Sequence, residues 1–162
     1  MKPMKILGVH ANNHKKCFEV RTRKGSYTYP YSECEVRPTG RDPIVRLFVD
    51  PELGNEAFTY YLASGAEGCE HGDYVLYYNR DPKMLVELLM HKLTCIAEDK
   101  RKTSGLSTRE ICRRLGTSAS QLYRLLDTAS YQKSFEQLIR LLIVLGCEVS
   151  FDVKDVDKRR RA

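Results

Sequence analysis

The sequence has no long apolar run. Its longest, from Leu138 to Leu145, is interrupted by Arg140 and falls well short of the roughly 20 residues that a membrane-spanning helix needs. The opening residues, Met1-Lys2-Pro3-Met4-Lys5, also lack the apolar stretch of a secretory signal. We therefore expect a cytoplasmic protein that has no membrane partner.

The sequence also lacks the usual signatures of a metal site or a redox site. No two of its six cysteines are fewer than 17 residues apart, so it contains no Cys-x-x-Cys pair and predicts neither a zinc ribbon nor a redox motif. We expect reduced thiols that pack as small apolar residues. His10, His14 and Cys17 span a predicted turn and have no evident fourth ligand, so we expect no metal and no cofactor.

Signatures of catalysis are missing as well. Glu70, His71 and Asp73 are close in sequence and have side chains suited to acid/base chemistry. No nucleophile, metal cluster or phosphate-binding loop accompanies them. We expect no enzymatic activity and assign no catalytic residue.

Charge and tyrosine content divide the 162 residues into two parts. Up to Asp81 there are 11 basic and 11 acidic residues, whereas from Pro82 onward there are 16 basic and 10 acidic residues, which account for the whole net charge of +6. Eight of the ten tyrosines precede Asp81. We predict an α+β protein in which residues 1–81 form a small β-rich domain and residues 82–162 form a basic helical domain.

The first part has the composition and turn signals of short strands. The predicted strands are Lys5–Val9, Cys17–Arg21, Ser26–Tyr31, Ile44–Val49 and Phe58–Ala63, and Asp73–Tyr78 is either a last strand or a short helical turn. Gly25 suits a hairpin turn between the second and third strands. Alternation places Tyr27, Tyr29 and Tyr31 on one strand face. That face either packs the core of the domain or stacks unpaired bases, and the neutral charge of this half favours the core.

The second part predicts four helices and a final strand. Asp81 is a suitable N-cap before Pro82, and six apolar residues follow at helical spacing: Leu85, Leu88, Leu89, Leu93, Ile96 and Ala97. Capping-box spacing then recurs three times, at Ser107-x-x-Glu110, Ser118-x-x-Gln121 and Ser134-x-x-Gln137. The last helix carries Leu138, Leu141, Leu142 and Leu145 on its apolar side, and Gly146 follows its end. Beyond it, Glu148–Lys154 alternates as a strand does, and we expect the tail Lys158–Arg161 to be solvated.

The segment from Leu106 to Leu126 is the most informative part of the chain. Two short capped helices meet at Gly116, which can adopt the left-handed conformation that a sharp turn requires. The positions predicted to face inward are small or apolar: Ile111, Cys112, Leu115, Leu122 and Leu125. The remaining positions are polar and basic, with one acid, Glu110, and four arginines: Arg109, Arg113, Arg114 and Arg124. A helix pair of this size at a steep angle lets the second helix project into a major groove.

This segment resembles the helix-turn-helix of the Cro/phage-repressor-like (XRE) family of bacterial regulators. The matching residues are Leu106, Glu110, Ile111, Leu115-Gly116, Ser118, Ser120 and Leu122, with Cys112 at a position usually held by a small alanine. The resemblance extends over roughly Leu85 to Leu145 as a helical bundle. The chain departs from the family at Ala119, where a base-reading glutamine is common, and at Leu126-Asp127-Thr128. Both departures bear on DNA sequence preference.

A helix-turn-helix followed by a strand also resembles the antitoxins of bacterial type II toxin–antitoxin operons. These proteins repress their own promoter and neutralise a toxin, which implies a possible toxin partner for this chain. The first 80 residues are similar to a small bacterial β-rich domain family of unknown function, on the pattern from Tyr61 to Gly65.

The resemblance implies a transcriptional regulator, a repressor that binds duplex DNA as a homodimer on a two-fold operator. From the geometry of a recognition helix we predict base contacts by Ser120, Gln121 and Arg124. We predict phosphate contacts by Thr108, Arg109, Arg113, Ser118 and Tyr123. The strand Glu148–Lys154 is a candidate dimer element, and the β-rich domain is expected to bind a ligand or partner or to form dimer contacts. The alternatives are an antitoxin-type adaptor that captures a toxin and an RNA-binding protein that uses the tyrosine-rich sheet.

Overall fold

The computed structural model of the protein describes residues 4–130 and 133–155. These residues form an α+β structure with two three-stranded antiparallel sheets and five α-helices. They divide between Met84 and Leu85 into a β-rich unit and a helical unit. None of the helices in these ranges is both long and apolar enough to cross a membrane. The predicted basic tail Lys158–Arg161 lies outside the described residues.

The β-rich unit contains two antiparallel meanders, each formed by strands that are consecutive in sequence. The first sheet comprises β1 (Ile6–Asn12), β2 (Cys17–Thr22) and β3 (Gly25–Pro30), and the second comprises β4 (Ile44–Val49), β5 (Ala57–Leu62) and β6 (Glu67–His71). The five predicted strands are confirmed, with ends that differ by a few residues. Thr22 pairs with Gly25 across the predicted hairpin turn. The segment Asp73–Tyr78, for which the sequence predicts either a strand or a helical turn, is helical and belongs to α1 (Gly72–Tyr78). At the start of α1, the side chain of His71 accepts a hydrogen bond from the Asp73 N–H.

Strand β6 was not predicted from the sequence. Its two buried residues are Gly68 and Glu70, neither of which is typical of a strand interior. Both residues lie against Tyr60 of β5. Gly68 is the register partner of Tyr60, and a Cβ atom at Gly68 would lie 2.2 Å from Cζ of the Tyr60 ring. The phenol ring therefore occupies the space that a side chain at position 68 would need.

Aromatic side chains fill the core of the β-rich unit. The ring of Phe18 lies 4.9 Å from those of Tyr31 and Tyr60 and 4.8 Å from that of Phe58, measured between centroids. Tyr29 and Tyr31 are buried, so their faces are not available to stack on bases. The three tyrosines of the predicted stripe do not share one strand, because β3 ends at Pro30 and Tyr31 begins a short 3-10 turn, Tyr31–Glu33.

The cysteines differ in their environment, although all six are free thiols. Cys17 and Cys34 are buried, and burial raises the pKa of the Cys34 thiol to about 12. Cys69 is exposed on β6, so the expectation that every thiol packs as a small apolar residue is wrong at this position. The alternation of β6 explains the difference, because Gly68 and Glu70 take the inward positions.

Glu70 is a buried carboxyl group within this aromatic core. Only 6% of the residue is exposed, and the Tyr60 hydroxyl lies 3.5 Å from its Oε1. Burial raises the pKa of Glu70 above its ordinary value, and this effect outweighs the hydrogen bonds of Cys34, Tyr60 and Tyr29, which lower it. A carboxyl group with a raised pKa in the folded state stabilises the fold while it is protonated, and this contribution is lost as the pH rises through that pKa.

We expect Glu70→Gln to stabilise the β-rich unit at neutral pH. The amide keeps the shape of the carboxyl group and removes the cost of a buried charge. The gain should shrink as the pH falls through the raised pKa of Glu70 and should be absent below about 4, where the carboxyl group of the wild-type chain is protonated in both states. Urea unfolding followed by tyrosine fluorescence at several pH values measures this gain. The exposed Glu52 provides the matched control, Glu52→Gln, and an equal response of both variants would contradict the prediction.

The helical unit contains most of α2 (Pro82–Thr103), together with α3 (Thr108–Leu115), α4 (Ala119–Leu126) and α5 (Phe135–Val144). The predicted cap at the start of α2 is confirmed, because Asp81 Oδ1 accepts a hydrogen bond of 3.0 Å from the Met84 N–H. The predicted apolar side of α5 is also confirmed, because Leu138, Leu141, Leu142 and Leu145 are all buried. These leucines form the centre of the core, and the other buried members of the cluster are Met90, Ala97, Ile111, Leu122, Leu125 and Leu126.

The predicted buried stripe of α2 is wrong at several positions. Leu88, Leu89 and Ile96 are exposed, and the buried residues of this helix within the helical unit are Met90, Thr94 and Ala97. Apolar residues occupy more than one side of α2, so helical spacing alone cannot select the side that packs. An apolar strip of α2 consequently faces solvent in the described chain.

The predicted strand Glu148–Lys154 does not form within the chain. Helix α5 ends where the Cys147 N–H donates to the Leu142 carbonyl at 2.9 Å, and residues 147–155 have no regular secondary structure. A strand requires backbone partners, and the helical unit offers none among its described residues. Phe151 is 68% exposed and Val153 is 92% exposed, so the alternating apolar side chains remain in solvent.

Candidate nucleic-acid interface

Helix α3 begins as its sequence predicts. The Oγ of Ser107 accepts a hydrogen bond of 3.2 Å from the Glu110 N–H, which satisfies one of the free donors in the first turn. The Glu110 side chain does not complete a reciprocal capping box. Its carboxylate accepts hydrogen bonds from Arg113 and Arg114, one turn further along the same helix.

The turn between α3 and α4 depends on Gly116. Its backbone is left-handed, with φ of 68° and ψ of 38°, and its N–H donates to the Cys112 carbonyl. The Thr117 N–H also reaches that carbonyl, at 3.0 Å. Glycine adopts this conformation without the steric cost that a Cβ imposes. The predicted sharp turn between two helices is therefore confirmed.

Helix α4 begins with a complete capping box. Ser118 Oγ accepts a hydrogen bond of 3.2 Å from the Gln121 N–H, and Gln121 Oε1 accepts one of 3.5 Å from the Ser118 N–H. The Thr117 hydroxyl also donates to Gln121 Oε1, at 2.6 Å. The amide oxygen of Gln121 thus holds the start of the helix, while its Nε2 group makes no hydrogen bond within the described residues.

The inner faces of the two helices anchor them to the core. Ile111 of α3 and Leu122 of α4 are fully buried, and Leu125 and Leu126 are nearly so. Cys112 and Leu115, also predicted to face inward, are partly buried against the same cluster. This packing fixes the rotation of α4 about its axis, and therefore determines which side chains face outward.

The outer face of α4 carries the three residues predicted to contact bases. Ser120, Gln121 and Arg124 are all exposed, and Arg124 forms no ion pair within the described residues. Gln121 and Arg124 border a hollow of about 150 Å³ whose other lining residues are Leu125, Lys133, Ser134 and Gln137. The α4 side chains therefore share one surface with the start of α5. Sequence reasoning missed the contribution of α5, although the capping spacing of Ser134 and Gln137 predicts where that helix begins.

The residues predicted to contact phosphates lie around this helix. Arg109, Arg113, Ser118 and Tyr123 are exposed, whereas Thr108 is half-buried. The Ser118 oxygen accepts the cap hydrogen bond, so its hydroxyl hydrogen remains for an acceptor outside the chain. Within residues 4–130 and 133–155, Arg109 forms no ion pair.

Glu110 forms ion pairs with two of the arginines of α3. Arg113 Nη2 lies 2.7 Å and Arg114 Nε lies 2.6 Å from Glu110 Oε1. Hydrogen bonds from these arginines lower the pKa of Glu110 to about 2, so the carboxylate stays ionised at neutral pH. The i, i+3 and i, i+4 spacing is typical of such pairs, although the sequence reasoning did not pair Glu110 with particular arginines. A phosphate that binds Arg113 must compete with this carboxylate.

Lys133, which also lines this hollow, connects α2 with the end of α4 through hydrogen bonds. Its Nζ donates to Thr94 Oγ1 of α2 at 3.1 Å and to the carbonyl of Asp127, the residue that follows α4. Thr94 is almost completely buried and donates its hydroxyl to the Met90 carbonyl at 2.8 Å. Burial lowers the pKa of Lys133. No sequence motif indicates that Lys133 forms a hydrogen bond with a residue 39 positions earlier in the chain.

Comparisons with protein-family models, curated proteins and solved structures find no match for this chain. Within the described ranges, no three His, Cys, Asp or Glu residues come together in an arrangement that could hold a metal ion.

Proposed function

We propose that the helical unit binds duplex DNA in a sequence-specific manner, with α4 as the recognition helix in the major groove. The observation that carries the proposal is the arrangement of α4, which is anchored by Leu122 on one side and exposes Ser120, Gln121 and Arg124 on the other. A recognition helix needs both features, because base edges are read by outward side chains on a fixed support.

Arg124 is the strongest candidate for reading a base. It is exposed and forms no ion pair in the described part of the chain, so its guanidinium can donate two hydrogen bonds to the O6 and N7 atoms of guanine. Gln121 contributes the donors of its Nε2 group, and Ser120 contributes a hydroxyl group close to the start of the helix.

Phosphate contacts position the helix on the duplex. Arg109 and Arg113 supply charge, while Thr108, Ser118 and Tyr123 supply hydroxyl groups. Two copies of the chain bind a two-fold operator, since one module of this size buries too little surface for tight specific binding. In this proposal the β-rich unit is the ligand-binding or partner-binding part of a repressor, and the helical unit is its DNA-binding part.

Binding to a duplex selected from random sequences tests the proposal when it is measured over about 50 to 200 mM salt. We expect the affinity to fall steeply as the salt concentration rises. The arginine side chains of the protein release counterions from the phosphates when they bind, and added salt opposes this release. Arg124→Ala should reduce the preference for the selected duplex over a scrambled one by about 10- to 100-fold, the loss of one bidentate base contact. Arg113→Ala should weaken both duplexes equally and reduce the salt slope by about one.

Arg140 provides the matched control for these variants. It is an exposed arginine on α5 that pairs with Glu136, and Arg140→Ala should leave both affinity and preference unchanged. Affinity that does not depend on salt, or equal losses for all three arginine variants, would count against the proposed interface.

A further inference from the structure

Within residues 4–130 and 133–155, the backbone of the segment Glu148–Lys154 has no hydrogen-bonding partner. It follows the end of α5 directly and has no regular secondary structure. The Phe151 ring lies 5.9 Å from that of Phe135 at the start of α5, measured between centroids, yet Phe151 and Val153 remain largely exposed. Lys154 Nζ contacts Asp152 Oδ2 at 2.8 Å, as residues two apart do on one face of a strand.

We infer that this segment pairs with the same segment of a second copy of the chain, as an antiparallel two-stranded ribbon centred on Phe151. In that register Phe151 lies opposite Phe151 of the second copy, and Val149 lies opposite Val153. Glu148 lies opposite Lys154, and Ser150 lies opposite Asp152, which its hydroxyl can reach as a donor. Every apolar residue meets an apolar one, and the outer charges are complementary.

Neighbouring registers lack this complementarity. Centring the pair on Ser150 sets Glu148 opposite Asp152, and centring it on Asp152 sets two aspartates opposite each other. A register offset by one residue places polar side chains opposite apolar ones. Parallel in-register pairing brings each charge next to its own copy. Like charges directly opposite each other destabilise a sheet, so the charge pattern selects the register centred on Phe151.

The surface beside the segment also favours a second copy as the partner. Val149 shares an open hollow of about 670 Å³ with Leu93 and Ile96 of α2 and with Leu142 and Leu145 of α5. Val149, on the inner face of the proposed ribbon, belongs to the apolar part of this lining, and the polar part consists of Lys100, Thr103, Ser104, Glu148 and Ser150. A second strand therefore adds apolar area where the single chain leaves it in solvent.

The inference rests on the homodimer of the proposed function but not on its DNA activity. Sedimentation of the full chain without DNA measures it directly. We expect a dimer that Glu148→Lys and Lys154→Glu each weaken by about tenfold or more, because the two-fold axis doubles every changed pair. The double swap Glu148→Lys/Lys154→Glu should restore the wild-type affinity.

Cysteine cross-linking provides a second measurement of the register. In the proposed ribbon the two Cα atoms at position 151 are about 4.5–5.5 Å apart, which lies within the range of a disulfide. Phe151→Cys should therefore form a covalent dimer on mild oxidation, above the background of the native thiols. Val153→Cys is the control, because its two copies lie about 13 Å apart in this register.

Each possible result bears on the inference. Single swaps that weaken the dimer, together with a double swap that restores it, support the ribbon. A wild-type chain that is monomeric at tens of micromolar, single swaps without effect, or a double swap that fails to restore the dimer would overturn it. Loss of DNA binding by a chain that still dimerises would contradict the proposed function alone.

Discussion

Gly68→Ala is expected to lower the free energy of unfolding of the β-rich unit by about 3 kcal/mol. The added Cβ atom would lie 2.2 Å from Cζ and 2.4 Å from the hydroxyl oxygen of Tyr60. The ring cannot move aside cheaply, since it is fully buried and packs against Phe18. Its hydroxyl also donates to the Val36 carbonyl at 2.5 Å. Displacement of the ring therefore costs both packing and a buried hydrogen bond.

Urea unfolding followed by tyrosine fluorescence measures this loss in the β-rich unit, which contains eight of the ten tyrosines in a chain without tryptophan. Gly40→Ala is the matched control, because a Cβ atom at Gly40 meets nothing within 4 Å. If the two alanine variants unfolded at the same urea concentration, the close approach of Tyr60 to Gly68 would not limit stability.

Leu122→Ala is expected to destabilise the helical unit by about 3 kcal/mol and to remove DNA binding in the proposed function. Leu122 is fully buried in the same core cluster as the leucines of α5. Its truncation leaves a cavity under the recognition helix, so the orientation of Arg124 is no longer fixed. Far-UV circular dichroism follows the unfolding, since four of the five α-helices lie mainly in this unit.

Two controls separate packing from recognition in this experiment. Leu89→Ala removes a leucine that is 47% exposed on α2 and should cost less than about 1 kcal/mol. Tyr123→Ala changes the exposed neighbour of Leu122 and should weaken DNA binding without lowering stability. A Leu122→Ala chain as stable as Leu89→Ala would show that α4 is not anchored by this contact.

The helix ends could be predicted from sequence because their contacts are local. Ser107, Ser118 and Ser134 each accept a hydrogen bond from the N–H three residues later, and Gly116 needs only its own backbone conformation. The exposed face of α4 followed from the same local signals, so the positions of Ser120 and Arg124 could be predicted. Their roles in binding DNA remain a prediction.

Contacts that depend on distant residues could not be predicted in the same way. Strand β6 is recognisable only beside Tyr60, which fills the space above Gly68 and approaches Glu70. The buried side of α2 was set by α3, α4 and α5, because its own sequence has apolar residues on more than one side. Lys133 reaches Thr94 across 39 positions of sequence. The alternation at Glu148–Lys154 indicates a strand, but alternation alone does not supply the neighbour that the strand requires.

The cap at the start of α4 restricts which base Gln121 can recognise. Adenine requires both the oxygen and the nitrogen of a glutamine amide, and the oxygen is already occupied by Thr117 and Ser118. To read adenine, the free protein would have to release the end of its own helix. With the cap intact only the NH₂ group is available, and it can donate one hydrogen bond to the acceptor atoms of guanine, thymine or adenine, but it cannot make the bidentate pair that selects adenine. At the base that faces Gln121, the preferred operator should therefore disfavour cytosine, which presents only a donor, and should show no selection for adenine.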